Sequence, residues 1–208
     1  MSATAHQTQP QAATTEMPPP VTLRLRPVID ISTDQLLELS SINDDLRFEL
    51  SAEGDLIIMS PTGSEIGDSC SEINFQLRSW AKQDGAGRVF GSSTGFALPN
   101  GAKRSPDVSW IAQDRWETLS REQRRTLAPL CPDFVVELKS PSDRITTLKR
   151  KMDEWIDSGA RLGRLIDPDA KHIYIYRPNA PVEQLANPES VSGEPVLPSF
   201  TLDLREIW

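Results

Sequence analysis

Asp107, Glu137 and Lys139 are the residues of this 208-residue chain whose types and spacing could do chemistry. Glu137 and Lys139 stand near the end of "PDFVVELKS" (132–140), which otherwise reads as a buried strand through Phe134, Val135, Val136 and Leu138. Successive strand side chains point to opposite faces, so Glu137 and Lys139 share one face and Leu138 packs on the other. A lone ion pair buried there for stability would be a poor choice, because desolvating two charges is costly. Either both charges sit at the exposed end of the strand, or something works between them. Asp107 follows Pro106 in "RSPDVSW", at the start of a second expected strand 30 residues earlier. If the two strands are neighbours, both carboxylates can converge on one hard cation. Oxygen ligands without His or Cys suit Mg2+ or Mn2+. Lys139 would stand beside that cation, orienting an attacking water and offsetting charge that develops on a phosphate.

Other chemistries find little support. The two histidines are His6, in a polar N-terminal stretch, and His172, which disfavours histidine triads and His-rich zinc sites. No G-x-S-x-G elbow or P-loop lysine motif occurs. "GSSTG" (91–95) lies in a strand-rich stretch and reads as a bulge or close-packing site rather than a phosphate cradle. Cys70 and Cys131 lack paired-motif spacing and read as reduced thiols.

The elements that must position the carboxylates follow from the pattern. Residues 1–20, Ala/Thr/Gln-rich and ending in three prolines, read as a disordered tail, and 21–208 as one domain. "STDQLLELSS" (32–41) reads as a short helix capped by Ser32 or Thr33. "LRFEL" and "DLIIMS" flank a hairpin turn at Gly54. Ile66, Cys70, Ile73, Leu77 and Trp80 recur at helical steps, with Thr62 and Glu65 placed as a capping box and Gly85 as the stop. Two or more strands follow around the Pro99–Asn100–Gly101 turn, then an exposed helix over 114–127. After the Glu137 strand comes an amphipathic helix with Ile145, Leu148, Met152, Trp155 and Ile156 on one face, stopped by Gly159. Strands are expected around Pro168–Asp169 and at "VEQLA" and "FTLDL". This order predicts an α/β domain, a mixed sheet flanked by helices.

Charge and targeting set further bounds. A net charge of −8 argues against a general polyanion binder. The window 103–151 nevertheless holds eleven Lys/Arg against seven Asp/Glu, clustered around the Glu137 strand. No apolar run approaches a membrane span and no secretory signal opens the chain, so no membrane partner is expected and the cytoplasm is the default address.

Pro106–Asp107 with Glu137–Leu138–Lys139 resembles the PD-(D/E)XK motif of restriction-endonuclease-like nucleases. The blocks "RFEL", "MSPTGSEIG", "SSTGFALPNGAKRSPDVSWI", "LCPDFVVELKSPSD", "KMDEWIDSGARLGRLIDP" and "IYIYRP" resemble the Uma-type family of bacterial endonucleases over residues 28–208. The resemblance implies a restriction-endonuclease-like core with an N-terminal β-hairpin and an acidic metal site at the sheet edge. It implies Mg2+ or Mn2+ on Asp107, Glu137 and the Leu138 carbonyl, with Lys139 assisting the water and Glu65 as an accessory acid. It also implies DNA as the partner, with a homodimer allowed. The chain departs from many relatives at Ile66, where they carry His, and at Arg164, where others carry Trp.

Each residue also has a plainer role. Glu65 can simply cap its helix, Asp107 can bond a turn, and Glu137 with Lys139 can form an edge-strand ion pair contributing about 0–1 kcal/mol. Asp133 reads as a strand-start residue and Lys151 as a solvated surface lysine. The readings that remain are a metal-dependent DNA phosphodiesterase, a non-catalytic binding or scaffold protein on the same fold, and a hydrolase of small phosphate esters.

Overall fold

The computed structural model describes residues 18–59, 61–84 and 87–208. Residues 1–17 of the expected tail lie outside that range, as does the expected helix stop at Gly85. Strand β1 (Val21–Leu23) leads to helix α1 (Thr33–Ile42), whose Ser32 and Gln35 form a reciprocal capping box. Strands β2 (Arg47–Leu50) and β3 (Leu56–Met59) form the expected hairpin, turned by Gly54 at φ +88. Helix α2 (Ser64–Asp84) follows. It starts two residues after Thr62, so the capping box expected there gives way to a start at Ser64.

The next strands are β4 (Gly87–Gly91), β5 (Phe96–Ala97), β6 (Lys103–Arg104) and β7 (Val108–Ala112). The single helix expected over 114–127 is instead a short α3 (Gln113–Glu117) and a separate 3-10 turn at Gln123–Arg125. Ser120 is the cause. Its hydroxyl accepts from the Gln123 N–H at 3.2 Å while the Gln123 side chain accepts from the Ser120 N–H at 2.8 Å. That local box starts a new turn and ends the old one.

Strand β8 (Phe134–Leu138), helix α4 (Ile145–Asp157), and strands β9 (Leu162–Asp167) and β10 (His172–Tyr176) come next. Strands β11 (Glu183–Ala186), β12 (Ser190–Ser192) and β13 (Thr201–Asp203) complete the chain. The central sheet is mixed, in the order β11-β10-β9-β8-β7-β4, with β8 and β9 parallel and the other pairs antiparallel. The expected hairpin proves to be part of a second, five-stranded sheet, β1-β3-β2-β6-β5.

Pleating splits the central sheet into two faces. Val108, Trp110, Val136 and Leu138 pack with Ile73 and Leu77 of α2. Ile111, Val135, Leu165 and Tyr174 pack with Leu148, Met152 and Trp155 of α4. Gly163 of β9 lets α4 close on the sheet, since a Cβ there would collide with the Met152 methyl. Arg164 points to the other face, buried at 1 % exposure, and donates to the Ser192 carbonyl. Among the described residues, no helix is long and apolar enough to cross a membrane.

Candidate active site

The pairing of β7 with β8 brings the two carboxylates to one cleft. The antiparallel ladder ends with Val108 opposite Val136, and Asp107 is the residue just before β7. Glu137 shares the strand face of Val135, which α4 covers. The Asp107 N–H donates to the Val136 carbonyl at 3.1 Å, and the Asp107 Oδ2 accepts from the Leu138 N–H at 2.8 Å. This second bond fixes the side chain at the point where β8 ends.

Both acids line one cleft of about 320 Å³, with Arg47, Ile66, Leu138 and Lys151 among its walls. Pro18 and Pro20, the last residues of the expected tail, border it too. Glu137 is 3 % exposed. Its Oε1 accepts from the Trp155 indole at 2.8 Å, and both oxygens lie close to the Lys151 Nζ, at 3.0 and 3.1 Å. Burial pushes the Glu137 pKa up to about 7, against the pull of Lys151 and with help from Asp107. Burial also raises the Asp107 pKa, more than the Leu138 N–H and Lys151 lower it.

Lys151 departs from its expected place on the surface. Its side chain is 14 % exposed, and its ammonium also donates to Glu49 Oε1 at 3.1 Å and to the Ser105 carbonyl at 3.3 Å. Burial works against its charge, but Glu137 and Glu49 outweigh burial and raise its pKa. It therefore stays an ammonium at neutral pH and acts as a donor and a charge, not as a base. Glu49 has no counterpart in the sequence reading. It is 2 % exposed, and Arg104 and the Ser105 N–H hold it at 3.0 and 2.9 Å. Burial would raise its pKa, yet Lys151 and Arg104 prevail and lower it.

A sequence signal for Lys151 existed. It lies three residues after Leu148 and four before Trp155, both buried, so helical phase turns it toward the sheet. Glu49 alternates with Phe48 and Leu50, a pattern that ordinarily marks a solvent face. Only its contacts with the β6–β7 connection and α4 bury it.

Lys139 does not join this group. Its Nζ pairs with Asp169 at 3.1 Å and Asp167 at 3.6 Å, beyond the end of β8, and it does not line the cleft. The strand ends at Leu138, and Asp167 at the end of β9 with Asp169 just beyond it draw the lysine sideways. Glu65 is exposed in the first turn of α2 and is likewise absent from the lining, although Thr62, Gly63 and Ile66 around it are present. Asp133 is a structural anchor at the far end of β8, accepting from the Ala112 N–H and Arg115.

The donor set suits a hard cation sparingly. Among the described residues, no group of three or more His, Cys, Asp or Glu forms a metal cage. Two carboxylates in an open cleft match Mg2+, which keeps several waters and takes one or two carboxylates plus substrate phosphate. Both acids are destabilised as anions by burial, so a cation there would offset a real penalty.

The Glu137 shift has a consequence for stability. The folded state holds this proton more tightly than the unfolded chain. Stability from this group is therefore full below its ordinary pKa of 4.5 and falls as pH rises through about 7. The gap corresponds to about 3 kcal/mol. In metal-free buffer, Glu137→Gln should flatten this decline, so that the variant gains on wild type by up to that amount between pH 4.5 and 8. Parallel stability curves from denaturant titration would show instead that Glu137 titrates as an ordinary surface acid.

A mixed sheet between helices, with one acid just before β7 and one near the end of β8 in a single cleft, is a restriction-endonuclease-like core. A family model described as "Putative restriction endonuclease", Uma2, matches residues 33–205, and the chain belongs to that family. A crystal structure described as "a putative nuclease belonging to DUF820", from Anabaena variabilis, shares the fold with a TM-score of 0.69 at 22% identity. The match covers 85% of this chain and 97% of that one. No match is found among curated proteins.

Proposed function

We propose that the protein is a divalent-cation-dependent nuclease that hydrolyses phosphodiester bonds in DNA. The observation that carries this reading is that Asp107 and Glu137, from the neighbouring β7 and β8 segments, line one cleft with the Lys151 ammonium. The family's description and that of the Anabaena protein both point to nuclease chemistry.

Asp107 and Glu137 would hold the cation, with the Leu138 carbonyl beside them as a third oxygen. A bound Mg2+ or Mn2+ supplies Lewis-acid stabilisation of the charge that builds on the phosphate. Lys151 orients the attacking water and adds a second positive charge next to that phosphate. When a cation takes up Glu137, the ammonium retains Glu49 and the Ser105 carbonyl as acceptors, so it stays in place. The Trp155 indole holds the Glu137 carboxylate in its orientation.

One observation favours the scaffold reading. Lys151 pairs with Glu137 and Glu49, and Arg104 pairs with Glu49, so these two acids have cationic partners without a metal. Incubation with plasmid and single-stranded DNA, plus Mg2+ or Mn2+, separates the two. Wild type should nick or degrade DNA only with the metal. Lys139→Ala should keep most of that activity, because Lys139 is held by Asp167 and Asp169 outside the cleft. Lys151→Ala should lose it, by about 100-fold or more. Loss in Lys139→Ala with retention in Lys151→Ala would restore the lysine assignment expected from the motif. No metal-dependent cleavage by wild type would favour the scaffold.

A further inference from the structure

We propose that the cleft has a second lobe that seats the nucleic-acid backbone next to the reacting phosphate. This assignment rests on the nuclease reading of the first lobe. The second lobe, about 480 Å³, is walled by Gly67, Asn74 and Arg78 of α2 and by the Gly91–Ser93 turn after β4. Thr62 and Asp107 line both lobes, so the two adjoin, and they share a wall at one of the two acids.

The lining has the chemistry of a phosphate and sugar track. Ser71, Asn74, Ser92 and Ser93 offer neutral hydrogen-bonding groups, and Arg78 adds a guanidinium. Such groups fix the register of a strand without reading its sequence. Arg78 is oriented by a hydrogen bond from Nη1 to the Val89 carbonyl at 3.2 Å, and among the described residues its other N–H groups have no further partner. Arg47, in the wall of the first lobe, donates to the Ser92 carbonyl at 3.2 Å and couples the turn to the reacting site. The turn itself is closed by the Thr94 N–H on the Gly91 carbonyl at 3.0 Å. "GSSTG" therefore has two uses. Gly95 is a close-packing site, where a Cβ would stand 2.6 Å from Leu127, and Gly91–Ser93 face the cleft.

Cys70, in the same wall, is no nucleophile. Burial, and then the charge of Asp107, pushes its thiol up to about 12, so it remains neutral beside a phosphate. Asp107 is the one acid of this lining, at the junction where the cation of the proposed reaction would sit. Among the described residues, the rest of this lining carries no acid to repel a polyanion. With one arginine and no lysine in its lining, it would contact few phosphates, which suits a protein whose net charge is −8.

The shared ligand chemistry is a phosphodiester backbone, from DNA or RNA. The test is charge substitution at Ser93, an exposed turn position where a new side chain disturbs no packing. Affinity of the full chain is measured by fluorescence anisotropy with labelled single-stranded DNA and RNA oligonucleotides in metal-free buffer, and melting curves confirm folding. Ser93→Asp should weaken binding about fivefold or more and Ser93→Lys should tighten it, as one charge near a phosphate predicts. Opposite responses with either oligonucleotide support the lobe, and the arm that responds identifies the source. Equal affinities for both substitutions and wild type, with either nucleic acid, would overturn it. Failure of the nuclease reading is seen separately: wild type would then cleave neither nucleic acid with Mg2+ or Mn2+, whatever Ser93 does to binding.

Discussion

Replacing Lys151 with methionine should destabilise the metal-free protein by about 3–5 kcal/mol at pH 8, the cost of breaking a buried ion pair from one side. Methionine fills much of the same space, so lost packing is a small part of this. The loss comes from Glu137 and Glu49, left buried with one cation fewer. Glu49 keeps Arg104 at 3.0 Å, while among the described residues Glu137 keeps just the neutral Trp155 indole. For a chain of this size the melting point should fall by roughly 10 °C. The penalty should shrink at pH 6, below the Glu137 pKa of about 7, where wild type already holds that proton and the ion pair contributes less. Thermal melts of wild type and variant at both pH values check this. A loss under about 1 kcal/mol, or one independent of pH, would mean that Lys151 is solvated after all.

Asp107→Asn should have the largest effect on catalysis with the least on fold. The amide oxygen can still accept from the Leu138 N–H, so the end of β8 stays in place. Burial already disfavours the Asp107 anion, so the neutral side chain should leave the metal-free melting point level or slightly higher. What it removes is one of the two anionic ligands proposed for the cation. Metal-dependent cleavage should drop by about 10²–10⁴-fold, the scale of several kcal/mol of lost charge stabilisation. Wild type should also gain stability saturably with Mn2+, by about 2.7 kcal/mol at a hundred times the dissociation constant, and the variant should not. Full cleavage and an intact metal shift in Asp107→Asn would remove Asp107 from the site.

That neighbouring apolar strands would carry Asp107 and Glu137 to one cleft was legible because strand patterns are local. Glu137 lies in β8, where pleating fixes its face, and Asp107 just before β7. The hairpin at Gly54, the capped helix from Ser32 and the stripe of α4 were legible for the same reason, since turn chemistry, caps and periodicity act within a few residues. The break at Ser120 was also local, but a strong helical composition on both sides concealed it.

The partners of Glu137 are another matter. Lys139 looked close because it is two residues away, yet its side chain stands beyond the end of β8, where Asp167 and Asp169 draw it aside. Lys151 and Glu49 are 102 residues apart and meet because α4 packs across β8 beside the second sheet. What the sequence determined by itself was the periodicity of each element, the faces of the central strands and the family to which the motif blocks belong. Tertiary structure alone decided which cation neutralises the acids, that Glu49 is buried, and that the "GSSTG" turn walls a cleft reaching Asp107. The physical reason is range. Backbone patterns are set by neighbours along the chain, whereas the charge environment of a buried carboxylate is set by whichever surfaces pack over it.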